Sequence, residues 1–198
     1  MTTYAIEHFA TDIDVDEYIS RFRDEKHFIE FCKKCPNFGN SWGCPPFDFD
    51  TEDFLRQYEY AHLMVTKITP ARNDIPENMI QDFIRPERIK IEKNLLELER
   101  KYGGQAFAYI GKCLHCGDME CRRKSNRPCL HPDKVRPSLE AYGFDIERTL
   151  AELFGIEVLW GKDGILPKYL VLVSGLFHNN LSAINTDEPN ELPTKLKK

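Results

Sequence analysis

Seven cysteines fall in two clusters, Cys32, Cys35, Cys44 and Cys113, Cys116, Cys121, Cys129, and the 68 residues between Cys44 and Cys113 contain none. An odd number of cysteines cannot pair completely within one chain. Met1 to Asp14 lacks a basic start followed by an apolar run, so no secretory leader is expected. The expected compartment is therefore cytoplasmic and reducing, where structural disulfides do not persist. Scattered cysteines are ordinarily small buried hydrophobes. Clustered ones among turn-forming residues point instead to a metal.

The second cluster is the stronger signal. It runs Cys113-Leu-His-Cys116-Gly-Asp-Met-Glu-Cys121, then seven residues, then Cys129. A C-x-x-C turn brings two sulfurs toward one point, and Gly117 lets the backbone turn after it. Four thiolates close in sequence are a full tetrahedral set for zinc or a complete shell for an iron–sulfur cluster. The spacing matches neither the bacterial ferredoxin run nor the usual paired zinc knuckles, so it leaves the metal open. Lys112 to Arg136 carries seven Lys/Arg against three Asp/Glu. That basic surround offsets thiolate charge around either metal. His115 and His131 are candidates for an outer shell that bonds sulfurs or backbone.

The first cluster, Cys32-Lys-Lys-Cys35-Pro and then Cys44-Pro-Pro, is an incomplete set. It needs a fourth ligand, for which His27, His62, water or a substrate are the candidates. Structural metal sites are closed and reactive ones keep a position open, so this group is the second, less certain metal set. Its alternative is an architectural Cys-Pro-Pro turn. His8 and His178 read as strand-end residues without chemistry, and Trp42 and Trp160 as packing residues. No G-x-G-x-x-G, P-loop, G-x-S-x-G or H-E-x-x-H is present in the sequence.

The rest of the chain reads as strands alternating with helices. Strands are expected at Thr3 to Phe9, Ala61 to Ile68, Gln105 to Ile110, Glu157 to Trp160 and Tyr169 to Leu176. Helices are expected from Asp14, after Thr51, from Pro86 to Tyr102 with Gly103 as the stop, and from Asp145 to Gly155. Cys32 to Phe47 reads as irregular because of its prolines and glycines. These elements predict an α/β (α+β) domain over residues 1–180, with a mixed sheet of about four to five strands, helices packed on it, and cysteine-rich metal-binding loops. Residues 181–198, poor in apolar side chains and ending in lysines, read as a mobile tail. A chain of 198 residues can bury a sizeable core. Its net charge of −5 argues against general binding to nucleic acid or an anionic membrane.

In combination the motifs are similar to a known family. Cys32-x2-Cys35 with Gly39-Asn-Ser-Trp42-Gly-Cys44-Pro-Pro-Phe47 resembles the opening motif of prokaryotic predicted metal-binding proteins of unknown function. Cys113-x2-Cys116-x4-Cys121, Arg127-Pro-Cys129 and Arg136-Pro-Ser-Leu-Glu140-Ala-Tyr-Gly-Phe-Asp145 resemble the second. The resemblance implies cysteine-bound metal, foremost a [4Fe-4S]-type iron–sulfur centre, and a microbial or anaerobic setting. It supplies no reaction, so whether the chain is an enzyme stays open. A redox role, with a partner protein or small molecule exchanging electrons, is the leading expectation. A structural zinc-binding interaction domain and a metal- or thiol-dependent enzyme are the alternatives. Arg136 and Glu140 are expected to pair or to meet a ligand near the metal, with Ser138 capping a short helix.

Overall fold

The long alternating segments at the start and centre of the chain become the strands that organise the molecule in the computed structural model, which describes residues 3–108, 111, 113–117 and 119–180. Strand β1 is Tyr4–Asp14, β2 is Tyr60–Pro70, β3 is Gln105–Phe107 and β4 is Leu170–His178. They form one sheet in the order β1-β2-β4-β3. Each pairing is antiparallel, with Phe9 opposite Val65, Val65 opposite Val173, and Phe107 opposite Gly175. The class is thus α+β with four strands, and the sheet is antiparallel rather than mixed.

Period-two alternation decides what each face buries. On one face, Ala61, Leu63 and Val65 of β2, with Val173 and Phe177 of β4, meet helix α1 (Val15–Phe22) and the segment around Phe144 and Leu150. On the other, Ile68, Leu170, Leu172 and Leu176 meet the 23-residue helix α4 (Ile80–Tyr102) through Phe83, Ile84 and Leu95. Helices therefore cover both faces of the sheet. Asp14 caps α1 by accepting from the Glu17 N–H at 3.0 Å. Asp145 does the same for α5 (Ile146–Thr149), accepting from Arg148 N–H at 2.9 Å. That helix continues as a wider π turn to Phe154 and ends at Gly155 in the left-handed region.

Several expectations give way to tertiary packing. Helix α4 begins at Ile80, so Pro86 lies inside it rather than at its first position. A proline there removes one backbone hydrogen bond and costs about 3 kcal/mol. Fully burying Phe83 and Ile84 is worth roughly 1.5–3 kcal/mol each, enough to carry the helix past it. Helix α2 (Glu25–Lys34) occupies a stretch given no element in the sequence reading, and Cys32 is helical rather than irregular. Glu157 to Trp160 forms no strand, and Trp160 is 76% exposed instead of packed. Asp50, one residue earlier than Thr51, caps α3 (Thr51–Leu55). The expected end of β3 at Tyr109 and Ile110, and the expected tail at 181–198, lie outside the described residues.

The core reaches toward the cysteine segments through a column of rings. Tyr18 stacks on Phe144 at 4.3 Å, Phe107 meets Phe177 at 4.7 Å and Tyr142 at 5.0 Å, and Tyr142 meets Phe47 at 4.9 Å. Phe47 thereby anchors the end of the first cysteine segment on the domain core.

Candidate metal centre

Both cysteine segments are short of regular structure, so turns position their side chains. The first begins at the C-terminus of α2, where the Cys35 N–H donates to Cys32 O at 2.9 Å and puts both residues in one turn. Helix α2 is held at its start. Asp24 N–H donates to Gly143 O at 2.8 Å, and Gly143 has a φ of 86°. A Cβ on Gly143 would lie 2.5 Å from the Glu25 Cα, so only glycine allows this approach. Beyond Cys35, Gly39 N–H to Pro45 O at 2.8 Å and Cys44 N–H to Ser41 O at 3.0 Å fold the Cys-Pro-Pro turn back on itself.

In the second segment, Gly117 takes a φ of 58° immediately after Cys116, and Met119 N–H closes onto Cys116 O at 3.1 Å. The Cys129 sulfur accepts the backbone N–H of His131 at 3.4 Å. The backbone of His115 likewise donates to the Cys113 sulfur. The two arms are the same tripeptide, Cys-Leu-His, at 113–115 and 129–131, with the two imidazole rings 6.3 Å apart. That repeat was visible in the sequence and would have paired the outer arms of the cluster. N–H donors aimed at cysteine sulfur stabilise its anionic form and tune a metal bound to it.

Arg123 joins the two segments. Its guanidinium donates to Ser41 O at 2.7 Å and also to the carbonyls of Cys44 and Pro46, and it lies 5.3 Å over the Trp42 ring. Trp42 in turn donates its Nε1–H to Arg127 O at 3.1 Å. In the sequence Arg123 is one cation among the seven of the basic surround. Only the fold shows three carbonyls of the other segment turned toward it.

The result is a cavity of about 320 Å³. Its walls are Cys113, Cys116, Cys121 and Cys129 from one side and Asn40, Ser41 and Trp42 from the other. One water needs roughly 10–15 Å³ on the same measure, so the space is large. Among the described residues, no three His, Cys, Asp or Glu stand close enough together to hold a single metal ion. All seven cysteines are free thiols. Cys32 and Cys35 do not line this cavity, while Cys44 and Cys113 line a smaller neighbouring one of about 40 Å³. Four cysteines, which carry soft sulfur donors suited to a metal, line this one space, and backbone N–H groups reach the sulfurs of two of them.

The thiols respond to this setting. Burial pushes the Cys113 thiol up, opposed by the N–H of His115. Burial also raises Cys44, against a hydrogen bond from Ser41, and raises Cys32, with the neighbouring Cys44, Cys35 and Glu140 adding to the shift. The carboxyl of Glu140 is enclosed although the residue as a whole is half-buried. That enclosure raises it to about 7, against hydrogen bonds from its own backbone and from Ser138.

The outer shell differs from expectation. Arg136 does not pair with Glu140; its Nε donates to Glu99 Oε2 at 2.7 Å, and Nη2 bonds the other carboxylate oxygen. A half-buried carboxylate on α4 outcompetes a carboxyl that burial raises to about 7. Ser138 does cap a short turn, accepting from the Ala141 N–H at 3.2 Å. Glu92 was missed: it holds Arg88 Nε at 2.6 Å and stands 3.8 Å from His115 Nε2. His62 is bonded to Asp12 Oδ1 at 2.8 Å on the β1–β2 pair, and His27 stacks edge-on against Phe28 and Phe31 within α2.

Among the described residues, no helix is long and apolar enough to cross a membrane. Comparison with curated proteins and with solved structures finds no match to either. A family model described as "Predicted metal-binding protein (DUF2284)" matches residues 18–176, about four-fifths of the chain, including all seven cysteines. The chain belongs to this family of predicted metal-binding proteins.

Proposed function

We propose that the chain is a cytoplasmic redox protein carrying a [4Fe-4S]-type iron–sulfur cluster on Cys113, Cys116, Cys121 and Cys129. One observation carries the reading: all four cysteines of the second segment line a single cavity far wider than one ion needs. In a tetrahedral zinc site all four sulfurs sit about 2.3 Å from one centre, whereas in a cluster each cysteine ligates a different iron. When bound, such a cluster supplies reversible one-electron transfer. The chain's own residues do the rest. The N–H groups of His115 and His131 favour the thiolate form of the arms, and the Arg123 clamp holds residues 41–46 over the site. The cations of 112–136 offset thiolate charge, which favours the reduced form.

Cys32, Cys35 and Cys44 form a thiol group of their own beside this centre, suited to a second metal with an open position or to exchange with a small molecule. The electron donor or acceptor would be a partner protein or a small molecule, with no nucleic acid or membrane involved. Protein purified without oxygen should contain about four irons and four sulfides per chain and absorb broadly near ~400 nm, with bleaching on reduction. Cys113→Ser and Cys129→Ser should each remove most of that iron. One zinc per chain, lost to chelator with unfolding and with no redox signal, would overturn the reading. That zinc alternative is favoured by the knuckle-like turn at Cys116 and Gly117.

A further inference from the structure

The cavity mouth has a surface unlike the rest of the molecule. Trp42 and Met119 line it and are 38% and 60% exposed. Leu130, the neighbour of Cys129, and Phe31, the neighbour of Cys32, are exposed as well. Four of the eight large apolar side chains exposed among the described residues thus sit in the two cysteine segments. Isolated exposed apolar residues are ordinary, but Trp42 and Met119 on the lining of one cavity, with Leu130 next to the lining residue Cys129, mark a surface that is covered in use.

Charge indicates what covers it. Residues 25–44 and 111–136 together hold ten Lys/Arg and five Asp/Glu, a net of +5. The whole chain carries −5, so the remaining residues carry −10. Around Trp42, Arg123 lies over the ring and the backbone carbonyl of Arg127 accepts the indole N–H, while Lys124 lines the cavity paired with Glu120 at 2.8 Å. Lys34, the last residue of α2, and Lys134, which lines the smaller neighbouring cavity, are exposed within the two segments. A positive, partly apolar mouth on an otherwise negative protein attracts and orients a negative partner, while the acidic remainder repels that partner elsewhere.

We infer that the mouth formed by Trp42, Met119, Leu130 and the surrounding Lys/Arg residues is the docking surface for an acidic redox protein. This inference rests on the electron-transfer reading for why the partner comes, and on charge and exposure for where it binds. An apolar centre within a charged rim gives a contact that forms quickly and releases, as electron exchange requires.

Isothermal titration of the anaerobically prepared chain with a small acidic [2Fe–2S] ferredoxin tests it. Binding should weaken at least ten-fold between 50 mM and 300 mM salt, because the Debye length shrinks from ~14 Å to ~6 Å over that range. Lys34→Glu and Lys134→Glu should each weaken it about five-fold or more. Arg72→Glu, the same charge reversal on an exposed residue following β2, should change it less than two-fold. Circular dichroism of each variant confirms that it is folded. No binding, salt-independent binding, or an equal loss with Arg72→Glu overturns the inference. Iron and sulfide measured on the same samples separate the two ideas. Iron present without binding removes the docking surface alone. Localised binding without iron removes the cluster and leaves the surface.

Discussion

Replacing Arg123 by alanine removes the side chain that makes three of the hydrogen bonds between the two cysteine segments. It donates to three backbone carbonyls, those of Ser41, Cys44 and Pro46, and rests on the Trp42 ring. Hydrogen bonds from a charged donor are worth about 1.5–3 kcal/mol each, and a partly exposed cation–π contact about 0.5–1 kcal/mol. The guanidinium is only half-buried and the bonds are not additive, so the low end applies and the clamp contributes about 4 kcal/mol. At 1.4 kcal/mol per factor of ten, the open form of the 38–47 loop rises by about a thousandfold. The bonds of Arg123 go to the loop carbonyls, so global stability should change far less than loop opening. Amide exchange reads this directly: the N–H groups of Gly39, Asn40 and Cys44, bonded within the loop, should lose most of their protection. Arg123→Lys should fall between, because one ammonium cannot replace the planar fork at three acceptors. Exchange at these amides within three-fold of the parent would refute the clamp.

Three further outcomes follow from the geometry. In the metal-free protein, Glu140→Gln should be more stable than the parent at pH 8 by roughly 3 kcal/mol, and equal to it at pH 4. The native state holds a proton up to about pH 7 that the unfolded chain releases near 4.5, so the parent loses stability as pH rises through that window. Urea unfolding at the two pH values checks this, and equal differences at both would contradict it. Gly104→Ala should cost about 3 kcal/mol or more in thermal unfolding, because its Cβ would lie 2.0 Å from Phe177 O at a φ of 105°. Asp145→Ala should cost about 1 kcal/mol through the lost cap on Arg148 N–H, with thiol reactivity unchanged.

The local chemistry of individual residues was written in the sequence. Asp14, Asp145 and Gly103 mark element ends because caps and left-handed stops depend on one side chain and its nearest backbone. The grouping of the four cysteines 113, 116, 121 and 129 was equally plain, since a turn needs only short spacing and a glycine. Tertiary structure decided the rest, wherever a distant partner outweighed a local preference. Phe83 and Ile84 carried α4 through Pro86 by burial against Ile68 of the preceding strand and Leu172 of the distant β4. Glu99 took Arg136 from Glu140, and Arg123 found the carbonyls of a segment nearly eighty residues away. Short-range steric and capping forces act within a few residues and can be seen in the order of the letters. Burial and charge pairing act across space, and they set the cavity, its mouth and its clamp only once the chain has closed on itself.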